Sequence, residues 1–212
     1  PPANMSISNK HLSIIAWKRW LSELVPEDAP KIVFRSCSVG KSGTFYDLLK
    51  LIPNVQDLTW RESHSMGDGD PPADAFEVTP YLTKLSINPD GDYYTLERSP
   101  FHVVPERLQQ LTLGSLTEKA TVQIFQQLTH NDTVNLFTLA NTNLLAPKIL
   151  DAFLAFSGSN TQLCTLNFRK CVVPNDMMIP ILQKSSYESI DLENCIILNS
   201  TPDEWAILLR EV

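Results

Sequence analysis

Residues 162–171 read Gln-Leu-Cys-Thr-Leu-Asn-Phe-Arg-Lys-Cys, a phrase in which Leu163, Leu166 and Phe168 share one face and Cys171 follows at the turn. Apolar residues alternating over so short a run describe a strand with one buried face. The phrase returns downstream at Tyr187, Ile190, Leu192 and Cys195, and upstream at Ala29, Ile32, Phe34 and Cys37. Weaker copies lie at Leu58 and Trp60, Leu85 and Ile87, Leu111 and Leu113, and Phe137 and Leu139. The central apolar residues Phe34, Trp60, Ile87, Leu113, Leu139, Phe168 and Leu192 are spaced by 26, 27, 26, 26, 29 and 24 residues. A recurrence that regular marks a repeat architecture in which neighbouring units bury one continuous core. Pro53, Pro80 and Pro105 stand five, five and six residues before Leu58, Leu85 and Leu111, where a proline stops a helix and sets an extended entry.

Between the strands the apolar spacing predicts helices. Leu12, Ile15, Trp17, Trp20, Leu21 and Leu24 predict one over Ser8–Leu24, following a loose lead-in at residues 1–7 and shielding the first strand. Others are expected at Thr44–Ile52, after Ser115 with Glu118 as a capping box, at Ala146–Phe156, around 177–182, and at Pro202–Arg210 behind Thr201. His64–Thr79 and Asn88–Asp92 are rich in Gly, Pro and Asp, and read as loops, the first of them a mobile loop before a short turn. The expected fold is an α/β solenoid of about seven parallel strands, with helices or turns on the convex side and an N-terminal capping helix. It divides into a lead-in and cap at 1–28 and a repeat domain at 29–212.

On these phrases the chain resembles the leucine-rich repeat proteins, in the intracellular, cysteine-containing subclass of F-box substrate receptors. Leu48-Leu49-Lys50-Leu51-Ile52-Pro53-Asn54-Val55-Gln56-Asp57-Leu58 is similar to that subclass's link from helix to next strand. The likeness covers about residues 29–212. Asp90, Leu116 and Thr142 depart from its Cys or Asn at the turn, and no F-box is present. The resemblance implies a horseshoe-shaped repeat domain that recruits substrates for a ubiquitin ligase. A scaffold or assembly subunit unrelated to ubiquitin is the alternative.

Composition narrows the function. An apolar content of 43% with 19% charged residues belongs to an ordered globular chain. A net charge of −7 argues against a general nucleic-acid binder, and no apolar run is long enough for a membrane span. Cys37, Cys171 and Cys195 share one position of the repeat, which suits buried reduced thiols and an intracellular compartment. The chain opens Pro1-Pro2-Ala3 without Met or a signal-peptide core, and is expected to belong to a larger chain or complex. Three sequons occur, at Asn4, Asn131 and Asn199, where thirteen asparagines would supply about one or two by chance, and they carry little weight.

No catalytic, cofactor or metal constellation emerges. Gly40-Lys41-Ser42 matches the end of a phosphate-binding loop, but Arg35 stands where that loop requires its first glycine. A nucleotide-dependent enzyme built there is the less favoured alternative. Asp68–Asp74 and Asp90-Gly91-Asp92 lack the alternating ligands and closing Glu of a calcium loop. The four histidines share no ligand spacing with the cysteines.

What remains is the strand face opposite the core. Its candidate partner-binding residues are Lys31, Arg35, Asp57, Arg61, Lys84, Asn88, Thr165, Asn167, Arg169, Asp191 and Glu193. The first strands carry four cations against one acid, and the last carries two acids. The expected partner is therefore a protein on the concave face, acidic where it meets the N-terminal end.

Overall fold

The computed structural model describes residues 4–24, 30–40, 43–62, 70–91, 94–184 and 186–198. Each return of the apolar phrase is one strand of a parallel sheet: β3 (Lys31–Arg35), β5 (Asp57–Arg61), β6 (Lys84–Ile87), β7 (Gln110–Gly114), β8 (Leu136–Ala140), β9 (Thr165–Arg169) and β11 (Ser189–Asp191). An eighth, β1 (Met5–Ser8), pairs with β3 and begins the sheet, so residues expected to be a loose lead-in are a strand. Its apolar alternation is only Met5 and Ile7, too short to register as a repeat, yet Ile7 is buried opposite Phe34. The sheet thus runs without a break across the expected boundary at residue 28. Its order follows the chain, and the register reproduces the sequence intervals, Phe34 opposite Trp60 opposite Ile87 opposite Leu113 opposite Leu139 opposite Phe168.

The two inward rows fill the core. Phe137 and Phe168 meet Phe125 and Phe153 from the helices behind, while Phe34 lies between Trp17 and Trp60 at 5.6 and 5.5 Å. Those helices are α1 (Ile14–Leu24), α2 (Phe45–Leu49), α3 (Glu118–Thr129), α4 (Pro147–Ser159) and α5 (Asn175–Gln183). Thr44 with Asp47 forms the capping box of α2. For α3 the expected cap is displaced: Thr117, not Ser115, accepts from the Ala120 N–H, because Ser115 is spent on the preceding turn. The first helix starts at Ile14 rather than Ser8, since β1 and the short β2 (His11–Leu12) take the residues before it. The second half of the 64–79 loop is ordered turns, with Ala75 and Phe76 buried. The helix expected at 202–210 and the sequon at Asn199 lie outside the described residues.

Every repeat leaves its strand through one left-handed residue. Asn9, Ser36, Glu62, Ser115, Asn141, Lys170 and Asn194 have φ between 46° and 56°, each two residues after the central apolar position. In the third repeat that place belongs to Pro89, whose ring holds φ near −65°. The left-handed residue there is Asn88 instead, at φ 47°. Beyond the turn, Cys37, Thr142 and Cys171 each donate to the carbonyl two residues back, so Thr142 does the work of the expected cysteine. After this turn come two small parallel ladders, β2 with β4 (Ser38–Val39) and β10 (Val172–Pro174) with β12 (Ile196–Leu198).

Candidate functional site

The outward rows of the sheet are where side chains are not consumed by packing. One row is Lys31, Asp57, Lys84, Gln110, Leu136, Thr165 and Ser189. The next is Ser6, Val33, Thr59, Ser86, Thr112, Thr138, Asn167 and Asp191. The third holds Ser8, Arg35, Arg61, Gly114, Ala140 and Arg169. The sheet therefore brings nine of the eleven sequence-predicted residues to one face. Asn88 and Glu193 are the exceptions, Glu193 standing in the turn after β11.

Several of the charges are already matched. Lys31 Nζ lies 3.0 Å from Asp57 Oδ2, and Arg169 Nε lies 3.4 Å from Glu193 Oε2. Arg61 Nε is 2.6 Å from Asp90 Oδ2 and 3.5 Å from Glu62 Oε1. Asp90 and Glu62 belong to turns, so an inventory of strand residues alone could not include them. Arg35 and Lys84 are exposed and form no ion pair with any described residue. Farther along, Asn167 Nδ2 donates to Thr138 Oγ1 at 3.3 Å, which ties β9 to β8 in the middle row. The basic N-terminal end expected from the sequence is thus largely neutralised.

Asn88 is 1% exposed and lies under the face rather than on it. The reason is a missing donor. In five of the other repeats the N–H of the left-handed residue donates to the residue at or just past the end of the next strand, as from Ser36 to Arg61 O and from Ser115 to Ala140 O. Pro89 has no N–H to give to Gly114 O. The Asn88 side chain supplies it: Nδ2 donates to Gly114 O at 3.3 Å and to Tyr94 O at 2.7 Å. The turn that follows is carried across the ends of β7 and β8 as a strap. Gly91, at φ +70°, places its carbonyl 2.7 Å from Ser115 Oγ and 2.6 Å from Asn141 Nδ2, both of which donate to it. A Cβ on Gly91 would stand 2.4 Å from Asn141 Cβ, and one on Gly114 would stand 2.0 Å from Asn88 O. Gly114 is therefore bare because the strap lies directly on it. The motif Asn88-Pro89-Asp90-Gly91 carried the signal for a tight turn, but nothing in the sequence said over which strands it would close.

The other sequence candidates stay apart from this face. Gly40 follows β4, donating its N–H to Leu12 O and accepting from Gly43 N–H, both at 2.9 Å. Its companions Lys41 and Ser42 lie outside the described residues. Cys37 and Cys171 are buried, and burial pushes the Cys171 thiol up to about 12. Among the described residues no three His, Cys, Asp or Glu side chains gather as a metal site, and no helix is long and apolar enough to cross a membrane. Away from the outward rows, an open cavity of about 550 Å³ lies where the described residues of the second and third returns form turns rather than helices, lined by Phe76, Leu82, Val103 and Val104 with Glu77 and Glu106 among its polar residues.

No family model matches the chain, and no curated protein matches it. Among solved structures it is similar to an internalin (InlF) from Listeria monocytogenes, at 12% identity and a TM-score of 0.49. The match covers 89% of this chain and 54% of that one, so the chain spans about half the length of its structural neighbour.

Proposed function

We propose that the chain is a non-enzymatic protein-recognition module that takes its partner on the polar face of the parallel sheet. One observation carries the reading: eight strands in sequential register leave a continuous outward face, polar except at Val33, Gly114, Leu136 and Ala140. At about 4.8 Å per strand it is roughly 34 Å across, an extent that suits a protein better than a small molecule. In this reading the sheet curves as a horseshoe with its polar face concave, and α1 closes the N-terminal end. Curved repeat sheets serve as extended binding surfaces.

The finer assignment is the substrate-recognition repeats of an intracellular F-box-type ubiquitin ligase receptor, as part of a larger chain or complex. Its support is the resemblance of the 48–58 link, together with four cysteines that are all free. The partner carries acidic groups opposite Arg35 and Lys84, the cations left unmatched among the described residues of the first strands.

The test compares the intact chain with an Arg35→Glu/Lys84→Glu variant as baits in quantitative affinity capture. Reversing both charges is expected to lower recovery of the partner about tenfold or more, the equivalent of ~1.4 kcal/mol, with circular dichroism unchanged. Equal recovery by a folded variant overturns the polar-face site. With the full-length parent chain as bait, recovery of a partner without a ubiquitin-ligase adaptor and cullin overturns the F-box assignment and leaves the recognition module standing.

A further inference from the structure

Two of the four cysteines face each other across consecutive repeats. The parallel ladder that sets Val172 opposite Ile196 places Cys171 opposite Cys195 one residue earlier. Hydrogen bonds on either side hold that register: Lys170 N–H to Glu193 O at 2.8 Å and Ile196 N–H to Cys171 O at 2.9 Å. Neighbouring strands lie about 4.8 Å apart, inside the roughly 4.4–6.8 Å between Cα atoms that a disulfide spans. Both side chains point the same way. Cys171 Sγ donates to Leu139 O at 3.3 Å, and Cys195 Sγ makes the equivalent bond to Phe168 O, one repeat on, at 3.2 Å.

The other two cysteines have no such arrangement. Cys37 stands opposite Lys10 in the ladder, and Cys164 precedes β9, at the far end of the strand from the turn that holds Cys171. Exposure also differs within the pair, since Cys171 is buried while Cys195 is partly open.

We propose that Cys171 and Cys195 are a redox modification site, closing to an inter-repeat disulfide that clamps the last repeat to the one before it. A peroxide reaches Cys195 first: its thiol is oxidised to a sulfenic acid that keeps one peroxide oxygen, and the rest of the peroxide leaves as an alcohol, or as one water if it is hydrogen peroxide. The Cys171 sulfur then attacks the Cys195 sulfur, an S–S bond forms, the S–O bond breaks, and the hydroxyl leaves as water with the Cys171 proton. Two electrons pass from the thiol pair to one peroxide. Burial pushes both thiols up, so the closure is slow and responds to sustained oxidation rather than to a brief pulse. The bond joins residues 24 positions apart in the sequence and ties β11, with Asp191 at its end and Glu193 just beyond, to β9.

Trypsin separates the four cysteines into peptides 36–41, 149–169, 171–184 and 185–210, which makes the linkage directly readable. The intact chain is held in hydrogen peroxide, blocked with N-ethylmaleimide, digested without reductant and analysed by mass spectrometry. The expected product is 171–184 joined to 185–210 at two hydrogens below the summed masses, lost on reduction. In the folded Cys195→Ser variant this product is absent and Cys171 remains an alkylatable thiol. Three results would overturn the proposal: Cys195 accumulating as sulfinic acid without cross-link, linkage of Cys37 or Cys164 in comparable yield, or both thiols remaining free after prolonged exposure.

Discussion

Replacing Gly114 with alanine reverses the sign that such a change ordinarily carries. Glycine in a strand interior is destabilising by about 0.5–1 kcal/mol relative to alanine, so filling the position normally strengthens the fold. Here the added methyl would meet the Asn88 carbonyl oxygen at 2.0 Å and the Gly91 nitrogen at 3.0 Å. The strap must recede by about 1 Å or more to restore an ordinary contact. That movement stretches Ser115 Oγ–H to Gly91 O, Asn141 Nδ2–H to Gly91 O and Asn88 Nδ2–H to Tyr94 O, now 2.7, 2.6 and 2.7 Å, beyond useful length. At about 1 kcal/mol each, their loss outweighs the backbone gain and leaves a net destabilisation of roughly 2–3 kcal/mol. A drop of about 5–10 °C in melting midpoint is expected for a chain of this size. Gly158→Ala is the companion variant, since a methyl there meets nothing within 4 Å in the last turn of α4. It is expected to gain up to about 1 kcal/mol. Thermal unfolding followed by circular dichroism reads both, and hydrogen exchange at the Gly91 amide reports the strap itself. A Gly114→Ala midpoint at or above wild type, with Gly91 still protected, would refute the reasoning.

Two further expectations concern the N-terminal half. Trp17 is fully buried, donates Nε1–H to Ser38 O at 3.0 Å and meets Phe34 edge-on, so Trp17→Ala should cost about 3–5 kcal/mol in urea unfolding. A loss below about 1 kcal/mol would mean that α1 is not part of the core. For Asp47, desolvation pushes the carboxyl up, but the Thr44 N–H and O–H, each 3.0 Å away, and Lys50 more than offset it and hold the group below its usual range. The stability it adds is therefore present above the unfolded value near ~3.9 and is lost as pH falls through the folded one. The midpoint difference between wild type and Asp47→Asn should shrink on acidification from about pH 6 to pH 3. A difference that stays constant would contradict this linkage.

The repeat was legible because one physical pattern, apolar alternation at Phe34, Trp60, Ile87 and their successors, governs both burial and register. Strand positions followed from it almost residue by residue. Helix starts did not, because Ser115 and Thr117 are equally good caps in isolation, and only the need for a left-handed turn residue assigns Ser115 elsewhere. β1 was missed for want of length, as its place is fixed by pairing with β3 and not by its own two apolar residues. Asn88 was placed on the open face by counting alternation one residue too far. The count fails where Pro89 forces the chain to turn early.

The same displacement changes what a partner must look like. As separate letters, Lys31, Arg35, Arg61 and Lys84 form a basic end. In three dimensions Asp57 takes Lys31, and the strap that Pro89 creates delivers Asp90 to Arg61. Such exposed pairs add only about 0–1 kcal/mol of stability, but an incoming carboxylate must compete with acids already in place. The two cations left unmatched sit at opposite corners: Arg35 at the end of β3, and Lys84 at the start of β6, two strands away in register. Two strand spacings across and four residues along put their backbones about 16 Å apart. An extended acidic segment gains about 3.3 Å per residue and needs roughly five residues between its end carboxylates to engage both. A single acidic side chain, or a dense acidic run shorter than that, satisfies only one corner. For the proposed partner, selectivity on this face would therefore follow from the spacing of its acids more than from their number.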